Sequence, residues 1–198
     1  QQPGNKIMSF PNLSTCARRR RDLIQLMGEG VAVLPTAPVA PRNGDVLYPF
    51  RPDSDFFYLT HFPEPEAVAV LIPGRSHGEF IVFCRQRDPD METWHGRRSG
   101  LEGAINDYGA DDAFPIEDIG EILPGLLEDR ERVYCNLGRY LEFDNRLLHW
   151  VNGIKAKVRT GVSAPGEIID IGHILHELRL FKCKEEIRTM EHAARVSA

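Results

Sequence analysis

Apolar residues recur at helical spacing near the start of the chain and then give way to short continuous runs. Ser14 or Thr15 can cap a first helix, and Gly28 and Gly30 can end it. Within that span, the apolar positions that share one side are Ala17, Leu23, Ile24 and Met27. The spacing predicts an amphipathic helix that rests one side on a core.

Four short runs in the first half of the chain predict β-strands, at residues 31–34, 55–59, 67–72 and 80–84. The run at 55–59 is aromatic. The runs at 67–72 and 80–84 are almost uninterrupted apolar sequence, as in central strands that are covered on both faces. Residues 73–78 join these two runs and are few enough for an antiparallel hairpin.

Beyond residue 100, helical and strand patterns alternate. Helices are predicted at 101–108, at 116–127 with Pro124 ending or kinking it, and at 141–151 closed by Gly153. A strand is predicted at 133–135, and edge strands at Val158 and at Ile168 and Ile169. Such alternation predicts an α/β fold, with a mixed β-sheet flanked by helices.

Two further helices are predicted at the end of the chain, at 171–181 and 184–198. One side of the last helix carries Ile187, Met190, Ala194 and Val196. An apolar stripe of this kind normally faces a core, so we expect this helix to be the first of a further domain whose remainder is missing. The predicted organisation is a disordered or vector-derived end at 1–13, one domain at 14–170, and a linker helix leading into the next domain at 171–198.

The composition excludes several classes of function. Lys and Arg number 24 and Asp and Glu 29, so the net charge is −5 and nucleic acid is not an expected partner. Residues 18–21 are all arginine, but consecutive helical positions point about 100° apart, which predicts a solvated ring of charge rather than a patch. No apolar run reaches the roughly 20 residues of a membrane span. The first ten residues lack the layout of a signal peptide.

The four cysteines are far apart in sequence, at Cys16, Cys84, Cys135 and Cys183. They form no CxxC pair, so neither a zinc ribbon nor a disulfide framework is indicated. We therefore expect reduced thiols in a cytoplasmic protein.

A search for catalytic motifs finds none. His173, His176 and Glu177 depart from the H-E-x-x-H spacing of zinc peptidases, and two histidines without a third ligand make a weak metal site. Partly exposed helix histidines are the simpler interpretation. Neither a G-x-S-x-G elbow nor a phosphate-binding glycine loop is present. We expect the chain on its own to be inactive and to bind no metal.

Two stretches are unusual for surface segments. Residues 42–59 are rich in proline, glycine and aspartate and run into the aromatic segment. Residues 85–100 place Trp94 in a polar, arginine-rich sequence that predicts a loop. A tryptophan in such a loop either folds back over the core or stays exposed for contact with a partner.

These stretches carry a resemblance to the amino-terminal domain of aminopeptidase P. The sequence from Tyr48 to Ala67, YPFRPDSDFFYLTHFPEPEA, closely resembles the first signature of that family. Further blocks at 92–100, 109–111 and 176–187 resemble its second and third signatures and its junction with the catalytic domain. The likeness spans 16–198. Departures are His61, where glycine is usual, and Cys183, where serine or proline is common.

The resemblance implies a parent enzyme that releases an amino-terminal residue preceding proline, acting on peptides with proline in second position. It implies two divalent metals, typically manganese, bound by two aspartates, a histidine and two glutamates of a pita-bread domain that this chain lacks. It also implies a homo-oligomer, a tetramer or a dimer.

Trp94, Asp45 and Arg159 match residues at the mouth of the substrate site in that family, with Trp94 reaching a neighbouring subunit's site. The plain alternatives are a turn residue for Asp45 and a surface ion pair for Arg159. Two other functions stay open: a prolidase, which cleaves Xaa-Pro dipeptides, and an interaction module of the same fold without metal ligands.

Overall fold

The computed structural model describes residues 13–157, 159 and 161–197, without the side chains of Trp94 and His95. The predicted disordered end therefore lies almost entirely outside the described residues, as does Val158. The strands run in chain order as β1 (Val31–Pro35), β2 (Pro41–Asn43), β3 (Val46–Leu47), β4 (Val68–Leu71), β5 (Phe80–Cys84), β6 (Asp112–Pro115), β7 (Arg132–Cys135) and β8 (Glu167–Asp170).

Helices connect most of these strands. They are α1 (Leu13–Met27), α2 (Ser54–Thr60), α3 (Pro89–His95), α4 (Gly100–Asn106), α5 (Ile119–Leu127), α6 (Leu141–Ala156), α7 (Gly172–Leu180) and α8 (Lys184–Ser197). A 3₁₀ turn at Ile116–Asp118 directly precedes α5. None of the helices in the described part of the chain is long and apolar enough to cross a bilayer.

The main sheet has the strand order β6-β5-β4-β1-β7-β8, and β2 and β3 form a separate hairpin. β4 is antiparallel to β1 and to β5, whereas β1, β7 and β8 are mutually parallel and β5 is parallel to β6. The predicted mixed sheet and the predicted β4–β5 hairpin are both confirmed. Five of the six strands consequently end at the same edge of the sheet, called here the carboxyl edge.

The core has one layer on each face of the sheet. β1 alternates between them: Ala32 and Leu34 belong to the cluster beneath α1, α2 and α7, and Val31 and Val33 to the cluster beneath α5 and α6. Both faces are therefore covered, which explains the uninterrupted apolar runs. Gly30 enters β1 with φ +113°, and a Cβ there would lie 2.8 Å from the carbonyl oxygen of Arg132.

The predicted strand at 55–59 is wrong, because these residues form α2. The carboxylate of Asp53 accepts hydrogen bonds from the backbone N–H groups of Asp55 and Phe56, at 2.8 and 3.0 Å, and caps the helix. Phe56 and Leu59 are three positions apart and both enter the core. A good amino-terminal cap and this spacing outweigh the strand preference of the aromatic residues.

Helix α6 also continues past Gly153, where the sequence predicted its end. A Cβ at Gly153 would meet no atom within 4 Å, and the next residue, Ile154, is fully buried in the cluster beneath α5 and α6. Burial of Ile154 is worth more than the roughly 1 kcal/mol that a glycine costs inside a helix. The helix therefore ends one turn later, at Ala156.

The predicted solvated ring of arginines is wrong for two of its four members. Arg19 and Arg20 are only 4% and 7% exposed, while Arg18 and Arg21 face solvent. Arg19 donates to the carbonyl of Tyr58 at 3.0 Å, and Arg20 to that of Leu59 at 2.9 Å. These carbonyls lie in the last turn of α2, where the helix leaves acceptors unpaired and its dipole favours cations.

The two terminal helices form where predicted but pack differently. Ile174 and Leu175 of α7 are buried in the first core cluster, together with Ile171. α8 has no buried residue, and Ile187, Met190 and Val196 of its predicted stripe are exposed. The domain boundary at Asp170 stays a prediction.

Candidate functional site

Both unusual stretches of the sequence leave the carboxyl edge of the sheet. The segment after β1 carries the β2–β3 hairpin, whose strands and turn are exposed, with Asp45 in the turn after Gly44. The segment after β5 carries α3 and Trp94. Loops at this edge of α/β sheets are the usual location of binding residues. The topology therefore brings the Asp45 and Trp94 segments to one edge of the domain.

The predicted loop around Trp94 is wrong in part, because residues 89–95 form the short helix α3. Asp88 caps it by accepting from the N–H groups of Asp90 and Met91, and Pro89 occupies its first turn. Gly96 then ends the helix with a φ of +82°. Asp88-Pro89 is a helix-start signal, so capping could have revealed α3. The side chain of Trp94 lies outside the described residues.

The α3–α4 connection is fastened to the loop that enters β4. The backbone N–H of Ser99 donates to Glu64 at 2.6 Å, and Arg85 lies 3.7 Å from the same carboxylate. Gly100 has a φ of +65°, and a Cβ at this position would be 2.6 Å from the side chain of Arg87. The segment bearing Trp94 is thus held at its base, and glycine is required where it turns back.

The first signature stretch contains a buried acid pair that connects distant elements. Asp53 accepts from Tyr140 at 2.9 Å and pairs with Arg139 at 2.8 Å. Asp55 pairs with Arg139 at 3.2 Å and with Arg179 of α7. Both carboxylates are fully buried, which requires such partners.

This acid–arginine network fixes the start of α2 against the start of α6 and against α7. Sequence reasoning missed Arg139, Tyr140 and Arg179, which lie 84 to 124 positions from the aspartates. No local motif links positions that far apart. Burial raises the pKa of the Tyr140 hydroxyl, and the hydrogen bond that this hydroxyl donates to Asp53 raises it further.

Arg159 is placed elsewhere. It follows α6, which starts at the carboxyl edge and runs back along the sheet for 16 residues, or about 24 Å. The connection that follows is tied to the opposite edge: Asp129 and Ser163 bond to each other at 2.9 Å, just before β7 and β8. Arg159 is exposed there. Within a single chain, Arg159 therefore does not lie at the sheet edge that carries Asp45 and Trp94.

The described residues do not fit a site for a pair of metal ions. No group of three His, Cys, Asp or Glu side chains within residues 13–157, 159 and 161–197 could hold a metal ion. His173 uses Nδ1 for the carbonyl of Asp170, at 2.7 Å. Burial raises the pKa of the Cys84 and Cys135 thiols to about 12, so neither offers a thiolate at neutral pH.

Comparison with known proteins identifies relatives of this arrangement. Residues 16–134 match the family model described as "Aminopeptidase P, N-terminal domain". The chain is 38% identical to the Xaa-Pro aminopeptidase of Escherichia coli K12, over 91% of this chain and 42% of that protein. It is 34% identical to the Xaa-Pro aminopeptidase of Haemophilus influenzae, over 91% and 40%.

Among solved structures, the aminopeptidase PepP of Pseudomonas aeruginosa superposes with a TM-score of 0.94. The two are 53% identical, and the match covers 97% of this chain and 43% of the PepP chain. The chain therefore spans about two fifths of the length of the relatives that it matches.

Proposed function

Because the chain belongs to the family of the aminopeptidase P amino-terminal domain, we propose that it is the non-catalytic part of an Xaa-Pro aminopeptidase. The parent enzyme would release an amino-terminal residue that precedes proline. The observation that carries the proposal is the family match across residues 16–134, joined to 53% identity with an aminopeptidase structure. The four cysteines, all free thiols, are compatible with the proposed cytoplasmic location.

The catalytic metals would then be bound outside these residues. Two divalent ions, typically manganese in this family, would generate the attacking hydroxide and stabilise the developing charge. The described part of the chain supplies no ligand set for them. Its contribution would be to shape the mouth of the substrate site and to build the oligomer.

Asp45 and Trp94 are the residues proposed to serve the mouth of a neighbouring subunit's site. Their segments leave the same sheet edge; the β2–β3 hairpin is exposed, and so are Thr93 and Arg97 on either side of Trp94. The hydrogen bond from the backbone of Ser99 to Glu64 holds the Trp94 segment at its base, so the segment can present a contact without being part of the core. A tryptophan beside arginines in sequence has the composition of a contact surface.

Arg159 is proposed to serve a different mouth from Asp45 and Trp94, because it lies at the opposite sheet edge. Each complete site would then receive residues from two chains. Oligomerisation, as a dimer or a tetramer, becomes a requirement for full activity rather than an accessory property. A permanent guanidinium suits a peptide carboxylate at such a mouth.

The test compares this chain with the complete protein that the proposal requires, both with added manganese. We expect the complete protein to hydrolyse Xaa-Pro-Yaa tripeptides and this chain alone to show no turnover. Cleavage of Xaa-Pro dipeptides only would assign a prolidase. Turnover by the purified chain alone would refute the non-catalytic role.

Substitutions of two different tryptophans test the proposed role of Trp94 at the mouth of the substrate site. In the complete protein, Trp94→Ala should lower kcat/KM on longer peptides while leaving the metal content and the melting temperature unchanged. The matched control is Trp150→Ala, since Trp150 is buried edge-on against Phe143 and its loss should cost about 3–5 kcal/mol of stability. If Trp94→Ala destabilises the isolated chain as strongly, Trp94 is a core residue and the mouth assignment fails.

A further inference from the structure

A cleft of about 870 Å³ lies between α2 and α8 and is called here the α2–α8 cleft. On the α2 side, its wall includes the rings of Phe57 and His61, which are stacked with their centres 4.7 Å apart. On the α8 side, the wall includes Met190 and Ala193. Aromatic and methionine side chains on a concave surface are typical of a surface that another protein segment contacts.

The helix that forms one wall of this cleft is itself uncovered. α8 has 14 residues and none of them is buried. Met190 is 58% exposed although it lines the cleft, and Ile187, on the same apolar side of the helix, is 45% exposed. A helix of this length is marginal in water unless its apolar side packs against another surface. We therefore expect a cover that brings apolar side chains to α8.

Two of the four arginine and lysine side chains that line the cleft are neutralised within the chain. Arg19 pairs with Glu186 of α8 at 2.9 Å. Arg179 pairs with the buried carboxylate of Asp55 in the first turn of α2. Glu186, the one acidic residue of the described lining, is thereby used, so no carboxylate in the cleft remains for the other two cations.

The other two cations, Arg51 and Lys182, are exposed and carry uncompensated charge. Arg51 donates to the hydroxyl of Ser54 and Lys182 to the carbonyl of Leu180, each at 3.1 Å, but neither forms an ion pair with any residue that the structure describes. Four cations against two paired carboxylates leave a charge of +2 here, in a chain whose net charge is −5. The cover is therefore expected to be acidic where it meets these two side chains.

We propose that the α2–α8 cleft is the surface on which the catalytic half of the parent enzyme docks, with an apolar side chain against Met190 and a carboxylate that pairs with Arg51 and Lys182. This rests on the proposed function, since it requires the chain to continue into a second half. The length of the relatives favours this occupant, because the chain covers only 42% and 40% of the two aminopeptidases. A domain that continues from α8 is also held beside the cleft by its own backbone, which raises its effective concentration there.

Chemical labelling of the complete protein and of this chain, read by mass spectrometry, tests whether the cleft is covered. In the complete protein, acetylation of Lys182 should be at least about fivefold slower than in this chain, since a paired ammonium is shielded from the reagent. Lys184 is also exposed but does not line the cleft, and its rate should change by less than about twofold. Oxidation of Met190 by hydrogen peroxide should fall to the rate of Met27, which is only 3% exposed.

Charge reversal tests the contact itself. In the complete protein, Arg51→Glu places a like charge opposite the proposed carboxylate, so labelling of Lys182 and Met190 should become at least about threefold faster. The matched control is Arg21→Glu, at an exposed position of α1 outside the cleft, which should leave both side chains protected. In this chain alone, Arg51→Glu should leave the midpoint of urea unfolding unchanged, which excludes misfolding as the cause.

Three results would overturn the proposal. One is equal labelling of Lys182 and Met190 in the chain and in the complete protein. Another is protection that appears in this chain as its concentration rises, because a second copy would then be the occupant. The third is protection that survives Arg51→Glu. The tripeptide assay separates these results from the proposed function: a complete protein that cleaves Xaa-Pro-Yaa with an open cleft refutes the docking alone, whereas a covered cleft without turnover refutes the aminopeptidase assignment and leaves the docking of the second half in place.

Discussion

Replacing Arg20 by methionine tests whether the arginine run of α1 is structural. Arg20 is buried and donates to the carbonyl of Leu59 at 2.9 Å and to that of Gly109 at 3.3 Å. Its guanidinium also lies 4.0 Å from the centre of the Phe80 ring. Arg21, the next residue, is exposed. Arg21→Met therefore makes the same chemical change on the same helix without removing these contacts.

The expected loss of stability follows from these contacts. A hydrogen bond from a charged donor is worth about 1.5–3 kcal/mol, and the longer bond to Gly109 falls at or below the lower end. A desolvated cation–π contact adds roughly 1 kcal/mol. Burial lowers the pKa of Arg20, so removing the charge recovers part of the desolvation cost. Since Met leaves both carbonyls without this donor, we expect Arg20→Met to lose about 3 kcal/mol.

Urea unfolding followed by circular dichroism measures this difference. Arg20→Met should shift the midpoint with an unchanged slope, and the melting temperature should fall by about 6–12 °C for a domain of this size. Arg21→Met should stay within about 0.5 kcal/mol of the parent chain. If the two variants differ by less than about 1 kcal/mol, the buried hydrogen bonds of Arg20 do not support the fold and the reasoning is refuted.

Three other substitutions have defined outcomes. Asp55→Asn leaves two arginines without their buried carboxylate and should lower the free energy of unfolding in urea by about 2–3 kcal/mol. This is the low end of what breaking a buried ion pair costs, because both arginines reach solvent. A loss below about 1 kcal/mol would argue against a stabilising network. Burial lowers the pKa of His61, so the contribution of this residue to the free energy of unfolding is present above about pH 6.5 and is lost as the pH falls through the lowered pKa. In His61→Gly, the free energy of unfolding should therefore depend less on pH across that window. The same loss of stability at acid pH in the variant and the parent chain would contradict this. Glu186→Gln weakens both the ion pair with Arg19 at 2.9 Å and the hydrogen bond that the side chain accepts from the backbone N–H of Cys183. Amide hydrogen exchange should therefore become faster in α8 but not in β1. Equally faster exchange in both elements would show that α8 is part of the core.

The sequence predicts the sheet well because its central strands have only one interpretation. Residues 67–72 and 80–84 are too short and too apolar for surface helices, and burial on both faces permits no polar alternation. Short elements at the edge of the core are less certain. Phe56 and Leu59 suit a strand or a helix equally, and α2 forms because the Asp53 carboxylate fits the first turn of a helix.

The candidate site, too, can be predicted from the sequence only in part. The Asp45 and Trp94 segments could be assigned to one edge of the domain once the strand order is known, since each follows a parallel strand. The substrate contacts proposed for them would involve other chains, so no property of a single sequence reveals them. The acid–arginine network is invisible in the sequence for another reason. Asp55 and Arg179 are 124 residues apart, and only the packing of α2 against α7 joins them.

The first signature stretch helps to hold α7 in place. Asp55 pairs with Arg179, and the hydroxyl of Tyr58 donates to the carbonyl of Leu178 at 2.9 Å, so two signature residues bind the same turn of α7. The neighbouring helix α8 buries nothing within the described chain, and Arg19 reaches it through Glu186. Polar bonds with strict geometry thus add to the apolar contacts of Ile174 and Leu175 in setting the direction in which these helices leave the sheet. A parent enzyme that aligned its catalytic half through α7 and α8 would depend on these bonds, although none of the residues involved would touch a substrate.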